Sequence, residues 1–146
     1  MIFDRITTQW EAQKIPLNPG KSSQEVAALF AVLGQFAIAD DVISLYAKFD
    51  GMQEMENEAG LRIWSLAEIL AGNKEFSPYG IIFADHLMDS WVYRVKPEAQ
   101  SHSAVYIDYV DSTKVPVEIF NSLREFFAAY EKNPSAILGP QYNNRA

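Results

Sequence analysis

Apolar residues recur along this chain with two different periods, and the switch between them marks out its elements. Ile2, Phe3, Ile6 and Trp10 have the spacing of one helix face. That helix must stop before Pro16, because a residue preceding proline avoids the helical region. Leu17-Asn18-Pro19-Gly20 then reads as a turn. Ser22 and Glu25 form a capping box, each side chain bonding the other residue's backbone N–H. Val26, Leu29, Phe30 and Leu33 continue from it as one stripe, and Gly34 stands where a left-handed glycine closes a helix. A further helix opens at Asp40 or Asp41, carries Val42, Leu45, Tyr46 and Phe49 on one face, and ends at Gly51.

The period then shortens. Met52 to Gly60 is polar and acidic and reads as a loop or hairpin turn, after which Leu61-Arg62-Ile63-Trp64 alternates as a strand does. Ser65 and Glu68 make a second capping box for a short helix through Ile69 and Leu70, closed by Gly72-Asn73. Ile81 to Ala84 is continuously apolar, as expected of a central strand buried on both faces. Trp91 to Val95 is a strand ending before Pro97, and Ala104 to Tyr109 is rich in strand-forming residues. Val115-Pro116-Val117 is extended by its proline. Ser122 and Glu125 supply a third capping box, for a helix with Leu123, Phe126, Phe127 and Tyr130 on its buried face that ends at Asn133-Pro134. Helices at both ends with strands between them predict an α+β domain over residues 1–140, with a frayed tail at 141–146. Burial decides such a fold: each large side chain contributes roughly 1.5–3 kcal/mol, whereas a cap adds about 1 kcal/mol and sets a boundary.

Composition narrows the function classes. Hydrophobic residues make up 49% of the 146, enough for one core without metal or disulfides. There is no cysteine, which removes thiolate sites and a cysteine nucleophile and fits a cytoplasmic location. The opening Met1-Ile2-Phe3-Asp4-Arg5 lacks the basic and apolar pattern expected of a signal peptide, and no apolar run approaches the ~18 residues of a membrane span. The most apolar stretch, Val26 to Ala39, is interrupted by Gly34 and Gln35. A net charge of −7 disfavours nucleic acid and suits a basic protein partner, whose approach an acidic face accelerates.

Few residues point to catalysis. The two histidines, His86 and His102, are far apart in sequence; Asp85, His86 and Asp89 are the one trio that could bind a metal, which would give a small metal-dependent hydrolase. No serine sits in a Gly-x-Ser-x-Gly turn. Gly20-Lys21-Ser22 imitates the end of a phosphate-binding loop, but Ile15 stands where its first glycine belongs. No catalytic residue and no cofactor is therefore expected. Asp40 and Asp41 are explained as helix-capping acids. Glu54, Glu56 and Glu58 would share one side of an extended segment, an acidic patch. Trp64, Trp91, Tyr93, Tyr106 and Tyr109 fall on predicted strands, and such aromatics also anchor interfaces.

The order of features resembles the SUKH superfamily, the Smi/Knr cell-wall-assembly-regulator family. The matching features are Leu33-Gly34, the Asp41 to Gly51 helix with Tyr46 and Phe49, and Leu61 to Ile69 as a strand entering a helix. They continue with Ile81 to Asp85, then Trp91-Val92-Tyr93, and finally Val105 to Asp108 before Ser122 to Phe127. The chain departs from the pattern at Ala39-Asp40, where a proline is usual, and at His86-Leu87-Met88, which replaces a glycine-rich turn. The resemblance implies a central, largely antiparallel sheet flanked by helices and a non-enzymatic role. Many members look like immunity proteins that neutralise a bacterial toxin, often a nuclease; others are regulatory or scaffold modules. The expected partner is thus a protein, such as a basic toxin domain, and neither nucleic acid nor membrane. The surface expected to meet it comprises Asp50, Glu54, Glu56, Glu58, Asp85 and Asp89, with Trp64, Trp91 and Tyr93 as anchors.

Overall fold

The structure, a computed structural model, describes residues 1–53, 60–87 and 90–139. It is an α+β fold around a five-stranded antiparallel sheet. Helix α1 (Ile2–Ala12) is followed by strand β1 (Leu17–Pro19), then helices α2 (Ser23–Leu33) and α3 (Asp40–Lys48) and strand β2 (Phe49–Met52). Next come β3 (Leu61–Ile63), α4 (Leu66–Gly72), β4 (Ile81–His86), β5 (Trp91–Pro97), β6 (Ser103–Asp108), β7 (Val117–Phe120) and α5 (Leu123–Lys132). The main sheet runs β3-β4-β5-β6-β7, every neighbour antiparallel, and β1 and β2 form a separate two-stranded ladder. Among the described residues no helix is long and apolar enough to cross a membrane.

The predicted stripes build the core. Ile2, Phe3, Ile6 and Trp10 of α1 are buried, as are Leu123, Phe126, Phe127 and Tyr130 of α5. Trp10 meets Phe49, Phe127 and Tyr130 edge-on, at centroid distances of 5.7, 6.1 and 5.9 Å. Phe126 packs against the sheet, touching Phe83, Tyr93 and Phe120. Such edge-to-face pairs add about 0.5–1.5 kcal/mol each beyond the area they bury.

Several boundaries differ from the sequence reading, each for a non-local reason. Leu17 to Pro19 is a strand, not a turn, because Leu17 and Pro19 pair with Met52 and Phe49. That pairing draws Phe49 to Met52 out of α3, which ends at Lys48. Gly51 adopts φ +74 inside this strand, and a Cβ there would lie 2.4 Å from Ser65 N. Gly20, the phosphate-loop mimic, is needed for close approach: a Cβ would lie 2.1 Å from the Ala47 carbonyl oxygen. Neither Asp40 nor Asp41 caps α3, whose N-cap is Ala39. The buried Asp41 accepts instead from Ser103 N at 2.6 Å and Ser103 Oγ at 2.8 Å, joining α3 to β6. Strand β4 continues through Asp85 and His86, so the turn begins at Leu87; as its apolar run predicts, it lies inside the sheet, between β3 and β5, and is buried on both faces. Strand β5 itself runs on to Pro97, which pairs with Ser103, and the last strand lies at 117–120, two residues later than its proline suggested. The two complete capping boxes are those of Ser22 and Ser65; Ser122 accepts the Glu125 N–H. Beyond α5, a 3₁₀ turn at Pro134–Ile137 returns Ile137 and Leu138 to the interior. The tail expected at 141–146 lies outside the described residues.

Asn73 does more than close α4. Its carboxamide accepts from Ile82 N at 2.7 Å and donates to the carbonyls of Ile82 and Ile69, at 2.9 and 2.8 Å. Beyond the three residues that pair with β3, β4 thus finds a side chain in place of a strand.

Candidate functional site

The residues singled out by sequence separate into three groups. Asp85 is 1% exposed. Its Oδ2 accepts from Arg62 at 2.9 Å and from Trp64 Nε1 at 2.6 Å, and the other arm of Arg62 reaches Glu68 at 2.6 Å. Burial works to raise the Glu68 carboxyl, but the Ser65 N–H and the Arg62 guanidinium outweigh it and hold the group below its ordinary pKa. The second group lies across the strand, because consecutive strand residues face opposite ways. There His86 stacks on Trp91 at 4.5 Å, Trp91 Nε1 donates to the Tyr93 hydroxyl at 3.1 Å, and that hydroxyl donates to the Ile137 carbonyl. Burial pushes the Tyr93 phenol far above its usual pKa. Asp50 stands alone: Oδ1 accepts the Leu66 N–H at 2.7 Å, fixing the start of α4, and burial raises its pKa.

Asp85 and Tyr93 are therefore interior groups with assigned partners, and Trp64 and Trp91 are half-buried. Asp85 and His86 belong to opposite faces of β4, so they do not converge on one point. Glu54, Glu56, Glu58 and Asp89 lie outside the described residues. Among the described residues, no group of three or more His, Asp or Glu side chains is placed to hold a metal ion.

The surface feature that emerges is helix α2. Its inner stripe, Val26, Leu29 and Phe30, is buried. The solvent side of a surface helix ordinarily carries charged residues, yet here it carries Ala27, Ala28, Ala31 and Val32, all exposed, with Val32 at 71%. Grooves flank this ridge on both sides. One of about 420 Å³ runs between α2 and α4, lined by Ala28, Leu29, Val32, Leu66, Ala67 and Leu70, with Lys21, Glu25 and Asp50 also on its wall. The other, about 400 Å³, lies between α2 and the segment from Gly34 to Ile38. Gln35 braces this end, donating to the carbonyls of Asn73 and Glu75, and Phe36 stacks on the exposed Phe76 at 5.9 Å.

The ridge offers apolar area between two grooves and no reactive group, which is the chemistry of a contact surface. The four outward residues break an otherwise amphipathic stripe, and that break was visible in the apolar run beginning at Val26. No protein-family model matches the chain, and no curated protein matches its sequence.

Proposed function

We propose that this chain is a non-enzymatic protein-binding domain of the immunity type, which binds a cognate bacterial toxin in the cytoplasm and blocks it by occlusion. The observation that carries the reading is the apolar outer face of α2 between its two grooves: Ala28, Val32 and Leu70 stand where a helix with no partner would present charge. The order of motifs from Leu33 to Phe127 supports the immunity assignment, and the net charge of −7 supports a basic partner. In this reading α2 supplies the contact and the acidic run Glu54, Glu56 and Glu58 steers the approach.

Co-expression with the product of the adjacent gene tests it. The chain should protect cells from that product and purify with it as a stoichiometric complex. Val32→Glu, which buries a charge at the centre of the contact, should weaken the complex about 30-fold or more, the loss of a ~2 kcal/mol hot spot. A complex unaffected by Val32→Glu removes α2 from the interface, and failure of the neighbour to bind removes the immunity assignment. Reversing the three glutamates to lysine should slow association and flatten its dependence on salt; rates unchanged across salt would remove the steering role.

A further inference from the structure

The two edges of the main sheet are finished differently. At the β3 edge the chain covers itself: β2 packs beside β3, Gly51 presses against Trp64 and Ser65, and Asn73 takes both backbone groups of Ile82. At the opposite edge, β7 pairs with β6 on one side. Among the described residues, no backbone bond joins residues 117–120 to anything beyond that ladder. A strand edge in this state presents a row of N–H and C=O groups to whatever extended chain reaches it.

The loop that leads into β7 is built to hold a shape. Asp108 Oδ1 accepts the Val110 N–H at 2.8 Å. Asp111 Oδ1 accepts from Thr113 N and Oγ1 at 2.8 and 2.7 Å, and Lys114 N donates to the Asp111 carbonyl at 2.9 Å. This scaffold keeps Val110 at φ +54, the left-handed region that β-branched residues resist. The strained residue contributes nothing to the core: Val110 is 66% exposed, and Val115, one turn on, is 67% exposed. Backbone strain of this kind clusters at functional sites, and here it presents an apolar side chain to water.

We propose that β7 and this loop form a second docking surface, which takes an extended strand of a protein partner by strand addition, a lysine or arginine of that strand lying opposite Glu118. Glu118 decides the occupant. It is exposed on the outer sheet face beside Tyr106, where a residue of an added strand would stand directly opposite it. A cation completes that pair. A second copy of this chain would bring another net charge of −7 to the same edge. Pro116 and the irregular register between β6 and β7 confine the open edge to Val117–Phe120, so the fit is to a short segment. The surface shares no residue with the α2 ridge, and either can fail without the other.

Three synthetic peptides test the proposal: acetyl-Thr-Val-Lys-Val-Thr-amide, the same peptide with glutamate at the centre, and the lysine peptide N-methylated at alternate amides. Amide exchange of the full chain is followed by NMR. The lysine peptide should slow exchange within Val117–Phe120 and leave α2 unchanged. It should bind about fivefold more tightly than the glutamate peptide, the size of one cross-strand charge pair, and about tenfold more tightly than the methylated one, which cannot complete the ladder. Val117→Lys should abolish the lysine-peptide effect while near-ultraviolet circular dichroism shows an intact core. Equal binding by the methylated peptide, equal binding by the glutamate peptide, or no protection of β7 by any of them overturns the proposal. So does a dimer in sedimentation that Val117→Lys converts to a monomer, which would assign the edge to a second copy.

Discussion

Helices α2 and α5 start alike and end in opposite circumstances. Each opens on a serine whose hydroxyl accepts the N–H of a glutamate three residues on. In α5, the apolar residues Leu123, Phe126, Phe127 and Tyr130 all reach the core, and charged residues occupy much of the remainder. In α2, Val26, Leu29 and Phe30 reach it while Ala27, Ala28, Ala31 and Val32 remain outside. The core accounts for the apolar content of α5. It accounts for only part of that of α2, and the remainder is what a binding surface would require. A hydrophobic residue is informative about function only after burial has claimed its share.

The largest effect that would sharpen this contrast is Phe126→Ala. It leaves Phe83, Tyr93, Phe120 and Phe127 facing a void and should cost about 3–5 kcal/mol in urea unfolding. Removing the matched caps comes next. Ser22→Ala and Ser122→Ala should each lose about 1 kcal/mol, and a near-zero loss at Ser22 alone would show that α2 is held by its neighbours and not by its cap. Val32→Glu should change stability by no more than about 0.5 kcal/mol, in contrast to its effect on partner binding; a loss as large as that of Phe126→Ala would mean Val32 is structural and would break the comparison. The smallest effect concerns the Asp50 carboxyl on the α2 groove. Burial raises its pKa in the folded chain, so its contribution to stability is present in acid and fades as pH rises past the unfolded value of about 3.9. Asp50→Asn keeps an acceptor for Leu66 N–H and removes that fade. The variant's stability should therefore climb more steeply than the parent's from about pH 4 towards neutrality, as followed by unfolding at a series of pH values.

Elements that announce themselves within a few residues were legible in the sequence. The stripes of α1, α2 and α5, the boxes at Ser22 and Ser65, and the strands around Ile81, Trp91 and Val105 all depend on neighbours close in the chain. What was not legible depends on distant partners. Leu17 to Pro19 becomes a strand because Phe49 to Met52 lies beside it, and Ile137 turns inward where the core takes its side chain and the Tyr93 hydroxyl donates to its carbonyl. The site was harder still. Asp50, Asp85 and Tyr93 look like surface chemistry in a string of letters, yet Asp50 Oδ1 accepts from Leu66, Asp85 Oδ2 from Arg62 and Trp64, and the Tyr93 hydroxyl donates to Ile137. A carboxylate's sequence neighbours do not tell whether it meets water or an arginine. The exposed alanines and valine of α2 carried a signal, but it resembled an ordinary apolar helix until the structure showed which side faced out.

Asn73 has a bearing on how such a domain can change over evolutionary time. By offering one carboxamide to both backbone groups of Ile82, it does with a single side chain what would otherwise take another stretch of polypeptide. The inventory of adhesive edges on this sheet is thus set partly by one codon. Replacing that asparagine with a residue that cannot bond in both directions would uncover a new place for strands to gather, without altering the order of the strands already there.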